Sequence, residues 1–372
     1  MAHAYTPGLK VSRYTIIRKD RRLPLKGEVL VKEGQKVKAE DIVARTQIPG
    51  NVVLVNVAAK LGIDPSEIRK VMLKKEGDPV KKDEVIAAAK VFFGLFKSEL
   101  KSPIDGIVES ISEITGQVIL REPPINVEIN AFIDGEVTKV YPEEGVEIET
   151  TGAFIQGIFG VGGERIGKLR MAVNSPDEEL TVDKLLDDET GNIIVGGSFV
   201  TGEALLEAQK RGAYGVVVGG IDDINLKEYV GYDIGVAITG NEDVKTTLII
   251  TEGFGKIRMA SRTFDILKSL NGYKTSISGA TQIRAGVMRP EIIIPYQSDL
   301  PLQTEEDEGT LEIGKPVRII RSPYFGLIGK VVELPPQPTR IETESTTRVL
   351  KVQLEDGRVI TVPRANVELI QE

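Results

Sequence analysis

The chain has 372 residues, enough for two to four domains with separate cores. It carries a net charge of −8, which argues against a surface that grips nucleic acid all over. It has no cysteine and one histidine, His3, so disulfides, thiol nucleophiles and thiolate zinc sites are excluded, and so is a buried histidine acid/base. No apolar run reaches ~18 residues, so no membrane-spanning helix is expected and the protein is read as cytoplasmic.

Residues 1–26 read as a basic N-terminal arm. Lys10, Arg13, Arg18, Lys19, Arg21, Arg22 and Lys26 stand against Asp20 alone. Such an arm is suited to phosphates or to an acidic partner; the plainer alternative is an edge strand protected by charge.

Residues 27–150 read as short strands broken by Gly, Pro and Asp. Two segments repeat: EGQKVKAEDIVA (33–44) and EGDPVKKDEVIA (76–87), offset by 43 residues with five of twelve positions identical. Each places Gly where a tight turn needs positive φ. The dipeptides Lys26-Gly27, Asp105-Gly106 and Asp134-Gly135 open strands in matching fashion. A pseudo-symmetric pair of small β units accounts for the pattern. Between the copies, Asp64-Pro65-Ser66-Glu67 signals a helical turn.

Residues 151–297 begin β-rich and become α/β from about residue 190. Apolar strands alternate with helices such as EALLEAQKRG (203–212), whose Ala204, Leu205 and Ala208 share one face. The alternation predicts βαβ units and a partly parallel sheet. Gly160–Gly167 is glycine-rich but lacks a phosphate-loop spacing, so it reads as a β-turn. The strands themselves end alike. Gly196, Gly197, Ser198 and Thr201 follow one; Gly219 and Gly220, Thr239, and Thr251 with Glu252 follow others. Strand carboxyl ends of a parallel sheet share an edge where anions bind, so these residues, with Thr281 and Arg284 nearby, form a candidate small-anion site. The alternative is that glycine merely allows close packing. No serine has a histidine to activate it, and no carboxylates stand at metal spacing, so no catalytic residue and no metal site is expected.

Residues 298–312 are acidic and read as an exposed linker. Residues 313–372 alternate as five strands of a small closed barrel, expected to fold independently and to be hinged on that linker. Arg318, Arg321, Tyr324 and Phe325 cluster basic and aromatic groups near a glycine turn, a candidate partner surface for RNA or protein.

Three stretches resemble known modules. Ala88-Ala89-Lys90-Val91 followed by Ser102-Pro103-Ile104-Asp105-Gly106-Ile107-Val108 resembles the biotinyl/lipoyl barrel-sandwich hybrid, which implies a carrier role for Lys90. Both flanking methionines of that family are replaced, and VFFGLF (91–96) widens the hairpin, so Lys90 is expected to carry no lipoyl or biotinyl group and the protein no cofactor. Phe92, Phe93, Leu95 and Phe96 are expected to be buried by another domain or another chain. Val317-Arg318-Ile319, Pro323–Gly326 and Gly329-Lys330-Val331 resemble a KOW-type barrel, the module of transcription elongation factors and ribosomal proteins. The middle resembles swivelling β/β/α modules.

The fold class expected is therefore multi-domain and mostly β: a barrel-sandwich hybrid, a βαβ-type middle domain and a C-terminal KOW-type barrel. The function expected is a non-catalytic scaffold or adaptor that self-assembles or docks protein partners. Its rivals are an RNA-, polymerase- or ribosome-associated factor and a small-anion-binding enzyme centred on the α/β strand ends.

Overall fold

The computed structural model describes residues 9–91, 96–232, 244–281, 288–302, 311–319, 321, 323–324, 327–340, 346–354 and 356–369; the side chains of 90, 91, 96 and 97 also lie outside the description. The chain is mostly β, 47% strand and 14% helix, arranged in several sheets.

The repeat in the first region is a nested one. Gly34 and Gly77 turn with φ of 79° and 89°. Each then donates its N–H across the unit, Gly34 to Val137 O at 2.8 Å and Gly77 to Val108 O at 2.7 Å. The next turn is closed by an acid in both copies: Lys38 N–H donates to Asp41 and Lys81 N–H to Glu84, at 2.8 and 2.9 Å. Asp134 accepts from Ala39 N–H at 2.7 Å, and Asp105 from Lys82 N–H at 2.8 Å. The glycine after each aspartate is required, because a Cβ would stand 2.3 Å from Glu149 O at Gly135 and 2.0 Å from Arg121 O at Gly106. The second halves, Ile104-Asp105-Gly106 and Ile133-Asp134-Gly135, are thus offset by 29 residues while the first halves are offset by 43. One copy is inserted inside the other.

The inner copy has its own core, built from Val55, Leu61, Ile68, Ile86, Val108, Val118 and Leu120. The outer copy packs Val37, Val43, Phe132, Ile133, Val137, Val146 and Ile148 together with Ile293 from the next region.

In the inner copy, Glu76 accepts the Ile111 N–H at 2.9 Å, and this bond, with Arg69 beside it, holds the carboxyl below its ordinary value of 4.5. Lys74 and the Lys81 N–H do the same for Glu84. A depressed carboxyl contributes fully above its unfolded pKa, and the contribution is lost as pH falls through the folded value. Amide protection in strand Gly106–Ser112 is therefore expected to hold from neutral pH down to about 4.5 and to decline below it. Glu76→Gln should flatten that decline at Ile111, as read by hydrogen exchange between pH 6 and 3.

Strand Gly145–Gln156 joins this region to the next. It pairs with Val11–Arg22 along one side, and with Gly135–Tyr141 and Glu291–Pro295 along the other. The basic segment is thus a twelve-residue edge strand of the eleven-stranded main sheet. Its charges are paired: Arg18 with Glu149, Lys19 with Glu291, Arg21 with Glu164, Arg22 with Glu144 and Lys26 with Glu143, at 2.5–2.8 Å.

The centre of the same sheet is parallel. Strands Glu164–Met171, Asn192–Val195, Gly215–Ile221 and Thr247–Phe254 run side by side. They are covered on both faces, which is why they read as continuous apolar runs. Ile194, Val216, Val218 and Leu248 meet helices Gly202–Lys210 and Asp223–Val230 through Ala204, Leu205, Ala208 and Leu226. Ile193, Val195, Val217 and Ile249 face Phe264 and Leu267 of helix Ser261–Ser269.

The tail forms a five-stranded antiparallel sheet, with strands Val359–Pro363, Val349–Leu354, Ile328–Glu333, Pro316–Ile319 and Val367–Leu369 in that spatial order. Its core contains Val317, Ile319, Val331, Leu350, Val352 and Val367. It does not stand apart from the α/β layer, because Arg318 reaches Glu252 across the boundary.

Candidate functional site

The four parallel strands bring their carboxyl ends to one edge, as the sequence leads one to expect. There the polar residues are engaged by the chain itself. Ser198 Oγ donates to Asp177 O at 2.7 Å, and its N–H donates to Glu178 O. Thr201 caps helix Gly202–Lys210 by accepting the Ala204 N–H at 3.1 Å. Thr251 Oγ donates to Val218 O. Thr281 Oγ accepts the Gly160 N–H at 2.9 Å. After Gly160 the chain bends between strands Phe159–Val161 and Glu164–Met171, which do not pair with each other, with Gly162 at φ 96° and Gly163 O accepting from Thr247 Oγ.

The glycines let other backbone lie directly on the strand ends. A Cβ on Gly197 would meet Glu178 O at 2.3 Å and Ser175 O at 2.7 Å. One on Gly219 would meet Ile257 O at 2.2 Å, and one on Gly220 would meet Gly255 O at 2.1 Å. Gly196 is closed by Val218 and Leu180 side chains at 2.8–2.9 Å. Segments 172–180 and 255–260 thus cross the edge, tied to one another by Arg258–Asp177 and Lys256–Glu179 ion pairs. Thr239 and Arg284 lie outside the described residues.

Glu252 is the exception, because its partner comes from the tail. One carboxylate oxygen accepts the Ala260 N–H at 2.9 Å, at the start of helix Ser261–Ser269. The other accepts from Arg318 Nη2 at 2.5 Å. Arg318 Nη1 donates to Glu368 at 3.0 Å, and the second oxygen of Glu368 accepts from Arg289 Nη2 at 2.5 Å. Two arginines and two glutamates therefore form one chain of charges. Arg318 is only 2% exposed and Glu368 1%, so the cluster is withdrawn from water. Among the described residues, Arg318 Nε finds no acceptor.

The candidate partner surface is correspondingly divided. Arg318, expected to face a partner, is internal. Tyr324 is half-buried and packs against the core of the tail, and Arg321 is exposed. Phe325, Phe92, Phe93 and Leu95 lie outside the described residues, as does the Phe96 side chain. Lys90 sits within strand Val85–Val91, paired with Lys97 in the facing strand Phe96–Lys101.

The sequence reading missed the charged cluster. Its signal was present: Glu252 interrupts the apolar strand TLIITEGF, Arg318 lies in PVRI and Glu368 in VEL, each a lone charge inside a strand. Strand alternation turns such a charge to the face opposite its apolar neighbours, so the pattern marks these residues without recording what covers that face.

Among the described residues no cluster of His, Cys, Asp and Glu is arranged to hold a metal ion, and no helix is long and apolar enough to cross a membrane. A cleft of about 440 Å³ lies between the outer copy and the α/β layer, lined by Glu40, Asn130, Glu164, Arg165, Tyr214 and Lys245. Its Arg165 donates to the backbone carbonyls of Glu164, Val244 and Lys245, and Arg21 bridges Asn130 and Glu164. The sequence matches no protein-family model, and no curated protein matches it.

Proposed function

We propose that the protein is a non-catalytic cytoplasmic scaffold or adaptor, which self-assembles or docks protein partners on a rigid multi-domain frame. In this reading the nested β copies are a barrel-sandwich hybrid and the tail is a KOW-type barrel. The observation that carries the reading is the use of polar groups at the α/β strand ends. Ser198, Thr201 and Thr251 hold the chain's own backbone, and Glu252 holds the tail through Arg318. A binding enzyme leaves such groups free for a substrate; here they lock elements to one another.

The two rivals lack an observation of this kind. The basic strand that would meet RNA phosphates has its charges matched by Glu143, Glu144, Glu149, Glu164 and Glu291. The crevice that would take a small anion is crossed by segments 172–180 and 255–260.

The test is a pair of measurements on the full chain. Thermal unfolding is followed with inorganic phosphate, sulfate and a nucleoside triphosphate, and binding of single-stranded RNA is followed at 50 and 200 mM salt. Neither a saturable stabilisation by the anions nor RNA binding that weakens steeply with salt is expected. A saturable anion shift supports the enzyme reading, and strong salt-dependent RNA binding supports the RNA-factor reading; either overturns the scaffold.

A further inference from the structure

Strand Val52–Asn56 ends the four-stranded sheet of the inner copy, and among the described residues it pairs only with Gln117–Arg121. The register fixes which of its backbone groups are free. Glu122 N–H donates to Asn51 O, so Asn51·Glu122 is a hydrogen-bonded pair. In an antiparallel ladder such pairs alternate. Val53 and Val55 therefore bond to Leu120 and Val118, while the N–H and C=O of Val52, Leu54 and Asn56 point away from the sheet.

The side chains at those positions are unguarded as well. Val52 is 46% exposed and Leu54 63%. On the same face, Ile119 lies opposite Leu54, and the 44%-exposed Ile107 lies opposite Arg121, the neighbour of Val52. An edge strand is a template for another chain unless charge, proline or a covering element protects it. The main sheet's edge strand Val11–Arg22 has that protection, with Arg13, Arg18, Lys19, Asp20, Arg21 and Arg22 along it. From Ile48 to Asn56 there is no charged residue.

We propose that the free edge of Val52–Asn56 pairs antiparallel with the same strand of a second copy of the chain, about a two-fold axis at Leu54. The proposal rests on the scaffold reading and supplies its self-assembly surface. The occupant follows from the charge pattern. About a two-fold axis each side chain meets its own counterpart or its mirror position, so any charge near the axis would face a like charge. Here Leu54 meets Leu54 of the second copy, Val53 meets Val55, and Val52 meets Asn56. Leu54, whose backbone groups are free, exchanges two hydrogen bonds with its counterpart, and Val52 reaches Asn56, the N-cap of helix Val57–Leu61, where the extended strand ends. The sheet grows from four strands to eight, and an apolar row runs Ile119, Leu54, Leu54, Ile119 across the junction.

Sedimentation equilibrium on the full chain tests this. The wild type is expected to dimerise, and Leu54→Lys, which sets two ammonium groups across the axis, should raise the dimer dissociation constant at least about ten-fold. Leu54 is exposed in the single chain, so thermal unfolding of the variant should match the wild type at concentrations below the dimer dissociation constant. The chain has no cysteine, so Leu54→Cys gives a single thiol. A hydrogen-bonded pair sets the Cα atoms about 5.5 Å apart, within disulfide range. Mild oxidation of a dilute solution should cross-link Leu54→Cys far faster than Val359→Cys, a 53%-exposed control on the tail. A wild-type dimer that Leu54→Lys leaves intact overturns this surface while self-assembly stands. A chain that stays monomeric at ~100 μM, with equal cross-linking of the two thiols, overturns the pairing itself; the scaffold reading is then decided by the anion and RNA measurements alone.

Discussion

Replacing Arg318 with alanine is expected to loosen the tail from the α/β layer by about 3–5 kcal/mol. The guanidinium joins Glu252 to Glu368, and all three side chains are almost wholly withdrawn from water. Removing it leaves Glu252 with the Ala260 N–H and no cation, and leaves Glu368 with Arg289 alone. A buried carboxylate without its counter-charge keeps its desolvation cost and loses its compensation. Removing both charges is a different experiment. Arg318→Met with Glu252→Gln keeps an oxygen to accept from Ala260 and leaves only the balanced Arg289–Glu368 pair. Well-packed neutral groups often equal a buried ion pair, so the double variant should recover most of the loss. The chain has several separate cores, so one melting temperature does not isolate this event. Hydrogen exchange at Val317–Ile319 and Val367–Leu369 does. Unchanged protection in Arg318→Ala would mean that the tail is held elsewhere.

The parts of this fold that were legible in the sequence are those set by local chemistry. The turns at Gly34 and Gly77 need positive φ, and the acids at Asp41 and Glu84 close the next turn, so the repeat shows in twelve residues. The parallel strands showed because both their faces are covered. The nesting did not show, because the second halves share little beyond Ile-Asp-Gly and stand at a different offset. The basic segment had two readings, an arm or an edge strand protected by charge, because its counter-charges are remote in sequence; Arg21 and Glu164 are 143 positions apart. Arg318 looked like a surface residue for a related reason. It lies between Val317 and Ile319, which fill the core of the tail, so alternation turns it outward. That outward face is buried only because the α/β layer lies against it, and no local pattern records the contact. The strand-end glycines had two readings, open crevice or close packing, and glycine alone does not choose between them.

That choice is open to direct measurement. Gly219→Ala is expected to destabilise the α/β layer by about 3 kcal/mol, at the upper end of what overpacking costs. The new Cβ would stand 2.2 Å from Ile257 O, 2.9 Å from Gly197 O and 3.0 Å from Met259 N. All three are backbone atoms, so no side-chain rotation relieves the clash. The Ile257 carbonyl belongs to the segment that leads into helix Ser261–Ser269, and the Gly197 carbonyl already accepts the Gly219 N–H at 2.7 Å. Relief therefore has to come from lifting segment 255–260 off the sheet, which also disturbs the Ala260–Glu252 bond and, through it, the seat of Arg318. Gly34→Ala is the matched control. It places a Cβ in open space at φ 79°, so it meets only the left-handed penalty of ~1–2 kcal/mol. Exchange protection in strands Gly215–Ile221 and Thr247–Phe254 should fall in Gly219→Ala and stay unchanged in Gly34→Ala. If alanine at 219 is tolerated at full protection, the strand ends are open to solvent, and the small-anion reading regains the crevice it needs.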